Sequence, residues 1–157
     1  MEEMDEISKL MVKHHSHIEE LLDTFKKSIG TSFTAMSDTF DHLEWELKKH
    51  FTTEEKNIFK FCDLADNEVT AMIQNLVTEH FTIRAMVTTI KKALANETAV
   101  DLSGFEGLLL RHKYSEDTVF YPMLDAKLGA LAKRNIIKEI CTLYRAENSN
   151  NLIKTVK

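Results

Sequence analysis

The chain has 157 residues, a net charge of −5, 43% apolar residues, four glycines, one proline and two cysteines. That length suits one domain with a real core, and so little Gly and Pro excludes a turn-rich β fold. No block of Lys and Arg marks a partner among nucleic acids or anionic membranes, and no apolar run approaches the ~20 residues of a membrane span. The acidic start MEEMDEISKL lacks the basic-then-apolar form of a signal peptide. Cys62 and Cys141 are isolated, which argues against a disulfide framework or a thiolate metal site. The expectation is a soluble cytoplasmic protein, monomer or homodimer, with neither nucleic acid nor membrane as partner.

Apolar residues recur at helical spacing through most of the chain. A first helix is expected from Asp5 to Lys27, with Ile7, Leu10, Met11, Ile18, Leu21, Leu22 and Phe25 inward, ended near Gly30. A second runs from Phe33 to Phe61, with Phe33, Met36, Phe40, Leu43, Leu47, Phe51, Ile58 and Phe61 inward. Asp66 or Asn67 can cap the third, Glu68 to Ala95, with Met72, Ile73, Leu76, Ile83, Val87, Ile90 and Leu94 inward. The fourth runs from Phe105 to Tyr121, with Leu108, Leu109, Val119 and Phe120 inward, and Pro122 is expected to stop it. A short fifth is expected from Ala126 to Tyr144, with Leu128, Leu131, Ile136, Ile137, Ile140 and Leu143 inward. Short connections make neighbouring helices antiparallel, so the fold class is all-α: an up-down-up-down four-helix bundle over residues 1–147, with residues 148–157 as a frayed tail.

Two stretches echo each other within that bundle: 50-HFTTEEKNIFK-60 and 112-HKYSEDTVFYP-122. Each begins with His, places Glu four residues later, adds a second acid, and carries an apolar-aromatic pair at one offset, Ile58-Phe59 or Phe120-Tyr121. Residues four apart on a helix lie about 40° apart around the axis, so each stretch offers an imidazole and a carboxylate from one face. Helices 1 and 3 echo too: His15 is followed by Ile18, Leu21, Leu22 and Phe25, and His80 by Ile83, Met86, Val87 and Ile90. The chain reads as two copies of one hairpin. His15, His50, His80 and His112 each lie about 14 to 19 residues from a turn, so all four fall at nearly one level of the bundle, within about one helical turn.

A lone His on an apolar stripe is more often a hydrogen-bonded core residue than a ligand. Here four His converge with Glu54 and Glu116, two carboxylates on apolar stripes with Arg84 as the one cation near them, and a buried carboxylate must be paired, protonated or metal-bound. Two choices stay open: His14 against His15 on helix 1, and Glu116 against Asp117 on helix 4. Glu55 and Asp117 are expected further from the core, and His42 and Trp45 on the outer face of helix 2. Mixed imidazole and carboxylate without thiolate suits Fe, Mn or Zn, and six ligands are too many for one tetrahedral zinc.

Taken together, His15 with Ile18, His50-x-x-x-Glu54-Glu55 with Ile58-Phe59, Glu79-His80, and His112-x-x-x-Glu116 with Phe120-Tyr121-Pro122 resemble the hemerythrin-like, HHE cation-binding family over roughly residues 7 to 124. The resemblance implies a four-helix bundle with two iron ions (Fe2+/Fe3+) joined by an oxo or hydroxo bridge. Glu54 and Glu116 would bridge them, and His15, His50, His80 and His112 would be terminal ligands. Oxygen-carrying relatives place a further His where this chain has Arg84 and use an Asp at the position of Asp117. The four-His, two-Glu set is similar instead to di-iron proteins of oxidative and nitrosative stress and iron-centre repair. The expected ligand is O2, NO or peroxide, with an electron donor that the sequence does not identify. Three classes remain: a stress oxidoreductase, an oxygen or iron carrier or sensor without turnover, and a metal-free helical interaction domain.

Overall fold

The computed structural model describes the backbone of residues 6–155 and the side chains through Tyr144. Helix α1 spans Ile7–Ser28, α2 Phe33–Thr53, α3 Asn67–Ala95, α4 Ser103–Ser115, α5 Tyr121–Lys127 and α6 Ala130–Thr155. Two π turns, Glu54–Ile58 and Glu116–Phe120, carry α2 and α4 onward. Successive helices pack side by side, α1 on α2, α2 on α3 and α3 on α4, and α1 meets α5 and the second π turn to close the bundle. No helix among the described residues is long and apolar enough to cross a membrane.

Local chemistry sets the helix ends. Gly30, at φ +88, takes the left-handed conformation that turns the chain out of α1. Ser32 caps α2 by accepting from Ala35 N–H, and Asp66, one of the two expected candidates, caps α3 by accepting from Glu68 and Val69 N–H. The start of α1 has no such cap of its own, since Glu6 makes no side-chain hydrogen bond there. Asp125 on α5 supplies it, accepting from Ile7 N–H at 2.8 Å, Ser8 N–H at 3.1 Å and the Ser8 hydroxyl.

The apolar interior lies in two blocks. One, at the end where α6 packs, joins Ile7, Met11, Ile58, Leu76, Phe120, Leu124, Ile136 and Ile140. The other joins Ile18, Phe25, Phe40, Leu43, Ile83, Ile90, Phe105 and Leu109. α1 and α3 contribute to both, and α2 and α4 reach the first block through the turns that extend them, so the residues between the blocks form a layer between two greasy halves.

Several sequence expectations need correcting. Pro122 does not stop the fourth helix: it lies in the first turn of α5, which runs on to Lys127. A proline there is tolerated because the π turn just before it has already shifted the hydrogen-bond register. The expected fifth helix divides at Leu128 and Gly129, and its second part continues to Thr155. Asp5, the expected start of the first helix, and the last two residues of the expected C-terminal tail lie outside the described residues. Val119, Phe61, Leu131 and Leu143 are exposed rather than inward. For Val119 and Phe61 the π turns explain it, because one extra residue in a turn rotates the later side chains by about 100°.

Asp125→Ala should lower stability by about 1–2 kcal/mol, the usual worth of a lost cap, read by thermal denaturation with circular dichroism. Asp125→Asn, which keeps one acceptor, should lose less.

Candidate metal centre

The layer between the two apolar blocks is where the six singled-out residues meet. α1 brings His15, α2 His50, α3 His80 and α4 His112, and the two π turns each open with a carboxylate, Glu54 and Glu116. All six are buried, the two carboxylates at 0% exposure. His15 Nε2 lies 3.0 Å from His50 Nε2, and His80 Nε2 lies 3.2 Å from His112 Nε2. Glu54 Oε1 is 2.9 Å from His50 Nε2 and 3.4 Å from His80 Nε2. Glu116 Oε1 is 3.0 Å from His112 Nε2 and 3.3 Å from His15 Nε2. Donors bound at about 2.1 Å from one ion sit about 3 Å apart at right angles, so these separations match a coordination shell. Two overlapping groups could each hold a cation: Glu54, His80, His112 and Glu116, and His15, His50 and Glu116.

The π turns place the carboxylates and the aromatic pair behind them. Phe59 N–H reaches back to Glu54 O and Tyr121 N–H to Glu116 O, five residues in each case. This widened turn brings Phe59 and Tyr121 inward. Phe59 lies nearly parallel to the His80 ring at 6.0 Å, and Tyr121 lies 5.9 Å from the His15 ring. Here the two hairpins differ: the Tyr121 hydroxyl is 2.7 Å from Glu54 Oε2 and 2.9 Å from Glu116 Oε2, a donor shared between both carboxylates. Burial, then the Glu54 charge, raises the Tyr121 phenol well above its ordinary value, so it stays a donor.

Carboxylates outside the layer fix the rings. His15 Nδ1 donates to Asp117 at 2.7 Å, His80 Nδ1 to Glu55 at 2.9 Å, and His112 Nδ1 to Glu79 at 3.0 Å. A neutral ring that donates from Nδ1 turns its Nε2 lone pair inward. Asp117 and Glu55 therefore support rings, consistent with their partial exposure of 17% and 31% against none for Glu116 and Glu54. Arg84 reaches a carboxylate beside the site, Glu55, at 3.1 and 3.5 Å, with its own side chain 41% exposed. His14 stacks on Tyr144 at 4.0 Å, outside the cage. His42 and Trp45 are exposed, as the helix face implies.

Electrostatics decides whether a cation fits. Burial pushes the His15 and His112 imidazoles below their ordinary value, against the pull of Asp117 and Glu79, so both rings stay neutral. Burial alone would push Glu54 up; positive charge at the facing His50 and His80 ring nitrogens, the place a bound cation takes, holds it well below the usual carboxylate range. Glu54 Oε1 and Glu116 Oε1 have no hydrogen-bond partner among the described residues. A dry cage of inward lone pairs and unsatisfied carboxylate oxygens is costly by itself and is satisfied by a positive ion. The donor set thus fits a metal.

Fold and site together define a helical-bundle protein with a buried histidine–carboxylate cation site. The chain matches the hemerythrin HHE cation binding domain over residues 6–124, and it belongs to that family. No curated protein and no solved structure matches the chain significantly.

Tyr121 is the residue whose role the sequence left unread: it stood there only as the aromatic member of a repeated pair. The one signal was that its counterpart is Phe59, which lacks a hydroxyl. Glu79 stood only as a neighbour of His80, and the i−1 position relative to a helical His gave no hint of a contact on α4.

Glu54→Ala and Glu116→Ala should each abolish most metal binding, whereas Glu55→Ala and Asp117→Ala should weaken it about 10–100-fold, as lost supporting contacts do. Metal analysis after dialysis against graded chelator separates the two classes, and full retention by Glu116→Ala would show that the α4 ligand lies elsewhere.

The metal-free protein should lose stability as pH falls. His14, His15 and His112 have folded-state pKa values below the ordinary 6.5, His14 at about 3, so the unfolded chain binds more protons in that window. Their contribution is full above about 6.5 and declines below it, and Glu54, depressed in the folded state, adds a loss at lower pH. Urea denaturation of metal-free protein between pH 8 and pH 4 measures this; a flat profile would contradict the buried neutral rings.

Proposed function

We propose that this protein holds two iron ions in the six-residue cage and through them binds a small neutral ligand, O2 or NO, in oxidative or nitrosative stress or iron-centre repair. The observation that carries the reading is the pair of overlapping donor groups sharing Glu116, with Glu54 Oε1 within 3.4 Å of a histidine of each. Mixed imidazole and carboxylate ligation without thiolate suits iron among the available metals. Iron, when bound, supplies open coordination positions and a one-electron redox couple.

The chain's own residues supply the rest. Beside the cage lies a cavity of about 20 Å³, walled by His15, His50 and His112 together with Leu22, Leu47 and Leu109. That is room for about one water-sized molecule. Its aliphatic walls suit a neutral diatomic, which is poorly hydrated, better than an ion. Glu19 and Lys113, joined as an ion pair, complete its wall. Phe51 and Phe59 cover the faces of His80, at ring separations of 4.1 and 6.0 Å, and exclude water there. Tyr121 holds the outer oxygen of Glu54 or of Glu116, the two carboxylates that would be shared between the ions. Arg84 does not line the cavity, so its charge does not face the ligand side.

Iron-reconstituted protein should hold about two iron atoms per chain, and the reduced form should bind NO under anaerobic conditions. Leu109→Phe, which fills the cavity, should slow that binding in stopped-flow mixing and leave iron content unchanged. Reconstitution that leaves no iron bound would refute the reading. Catalytic consumption of NO or peroxide would assign a stress enzyme, and reversible stoichiometric binding would assign a carrier or sensor.

A further inference from the structure

The two hairpins superimpose the centre on itself in sequence: His15 corresponds to His80, His50 to His112, Glu54 to Glu116 and Glu55 to Asp117. The supporting contacts obey the same repeat. Glu55 on α2's extension holds His80 of α3, and Asp117 on α4's extension holds His15 of α1. Glu79, the residue before His80, holds Nδ1 of His112. By the same repeat the residue before His15 should hold Nδ1 of His50, and that residue is His14.

His14 does stand beside His50, the rings edge to face with centroids 6.5 Å apart. Yet the Nδ1 atoms of both are buried and have no hydrogen-bond partner among the described residues. The His14 ring is kept in place from the other side by Tyr144, over whose ring the Lys49 ammonium also lies at 3.8 Å. An imidazole in this place brings no negative charge to the far nitrogen of His50. The carboxylate at the counterpart position brings one to His112. On the other half, Glu55 is itself held by Arg84, so His80 is fixed through two successive contacts.

We propose that the centre binds its two ions unequally. The position made by His80, His112, Glu54 and Glu116 fills first and holds its ion, while the position made by His15, His50 and Glu116 is weaker and exchangeable. His14 is the positioning residue that sets the difference. This rests on the two-ion reading of the cage. Donor count alone does not carry it, because Glu54 Oε1 is close enough to His50 Nε2 to serve either position. The far nitrogens carry it. A carboxylate there fixes the ring and raises the basicity of the ligating nitrogen, and losing such a partner costs about 10–100-fold in metal affinity.

The test is anaerobic titration of metal-free protein with Fe2+, repeated with Co2+ as an optical probe, reading bound metal per chain. Two steps are expected, the second about tenfold or more weaker, and a mild chelator should remove one ion well before the other. His14→Glu places a carboxylate at the Glu79 counterpart and should tighten the second step by about tenfold or more, leaving the first unchanged. Glu79→Gln should weaken the first step by about 10–100-fold, so that the two steps merge. His14→Ala controls for loss of the Tyr144 stack, and circular dichroism confirms folding of each variant. Two ions bound with equal affinity in the parent would overturn the proposal and leave the two-iron reading intact. So would a folded His14→Glu protein with an unchanged second step. A chain that binds no metal overturns both.

Discussion

Everything in this bundle turns on a polar layer that the apolar core must tolerate. Six ionisable side chains sit buried between two hydrophobic blocks, and two of them are carboxylates with no exposure at all. Among the described residues, no lysine or arginine donates to their inner oxygens. In a low-dielectric interior that arrangement is expensive unless a cation answers it. The bundle therefore reads as a scaffold that keeps a costly cage from collapsing. The two blocks supply the stability, and the layer uses part of it.

The scaffold holds the cage by giving three of its four rings a contact on both sides. Nε2 faces inward because Nδ1 is tied outward, for three of the four histidines. Those ties run between helices, so each one also fixes the spacing of two helices: α1 to the extension of α4, α3 to the extension of α2, and α4 to α3. Orientation of the ligands and packing of the bundle are thus one set of interactions. Glu44 shows the ordinary alternative nearby. It too is largely buried, but Lys48 and Lys91 each reach it at 3.0 Å, and it needs no ion.

The π turns do work that an uninterrupted α-helix could not. A regular helix can bring His and Glu onto one face four residues apart, but the aromatic residue five positions beyond the Glu would then point away from the layer. Widening the turn directly after each Glu returns Phe59 and Tyr121 to the interior. The hydroxyl of Tyr121 then bridges the outer oxygens of the two carboxylates. Because Phe59 has no hydroxyl, the internal repeat is broken at this point as well as at His14, and the two halves of the centre are chemically distinct.

The sequence by itself determined the helices, their order and the convergence of the six residues. These depend on local periodicity and on counting residues from turns, and both survive without knowledge of any contact. The duplication of His-x-x-x-Glu in register carried most of the site. What the sequence could not hold was any relation between residues that no period links. Whether His14 or His15 faces the layer is a matter of about 100° on one helix, and neighbouring stripes left it open; the structure turns His15 inward and His14 onto Tyr144. A side chain as long as that of Arg84 can reach several directions, and only the position of Glu55 on α2's extension selects one. Pro122 and Val119 were misread because a π turn leaves no mark in hydrophobic spacing until its phase shift is seen. Tyr121 acquired its role only when the fold brought it to Glu54, 67 residues away along the chain.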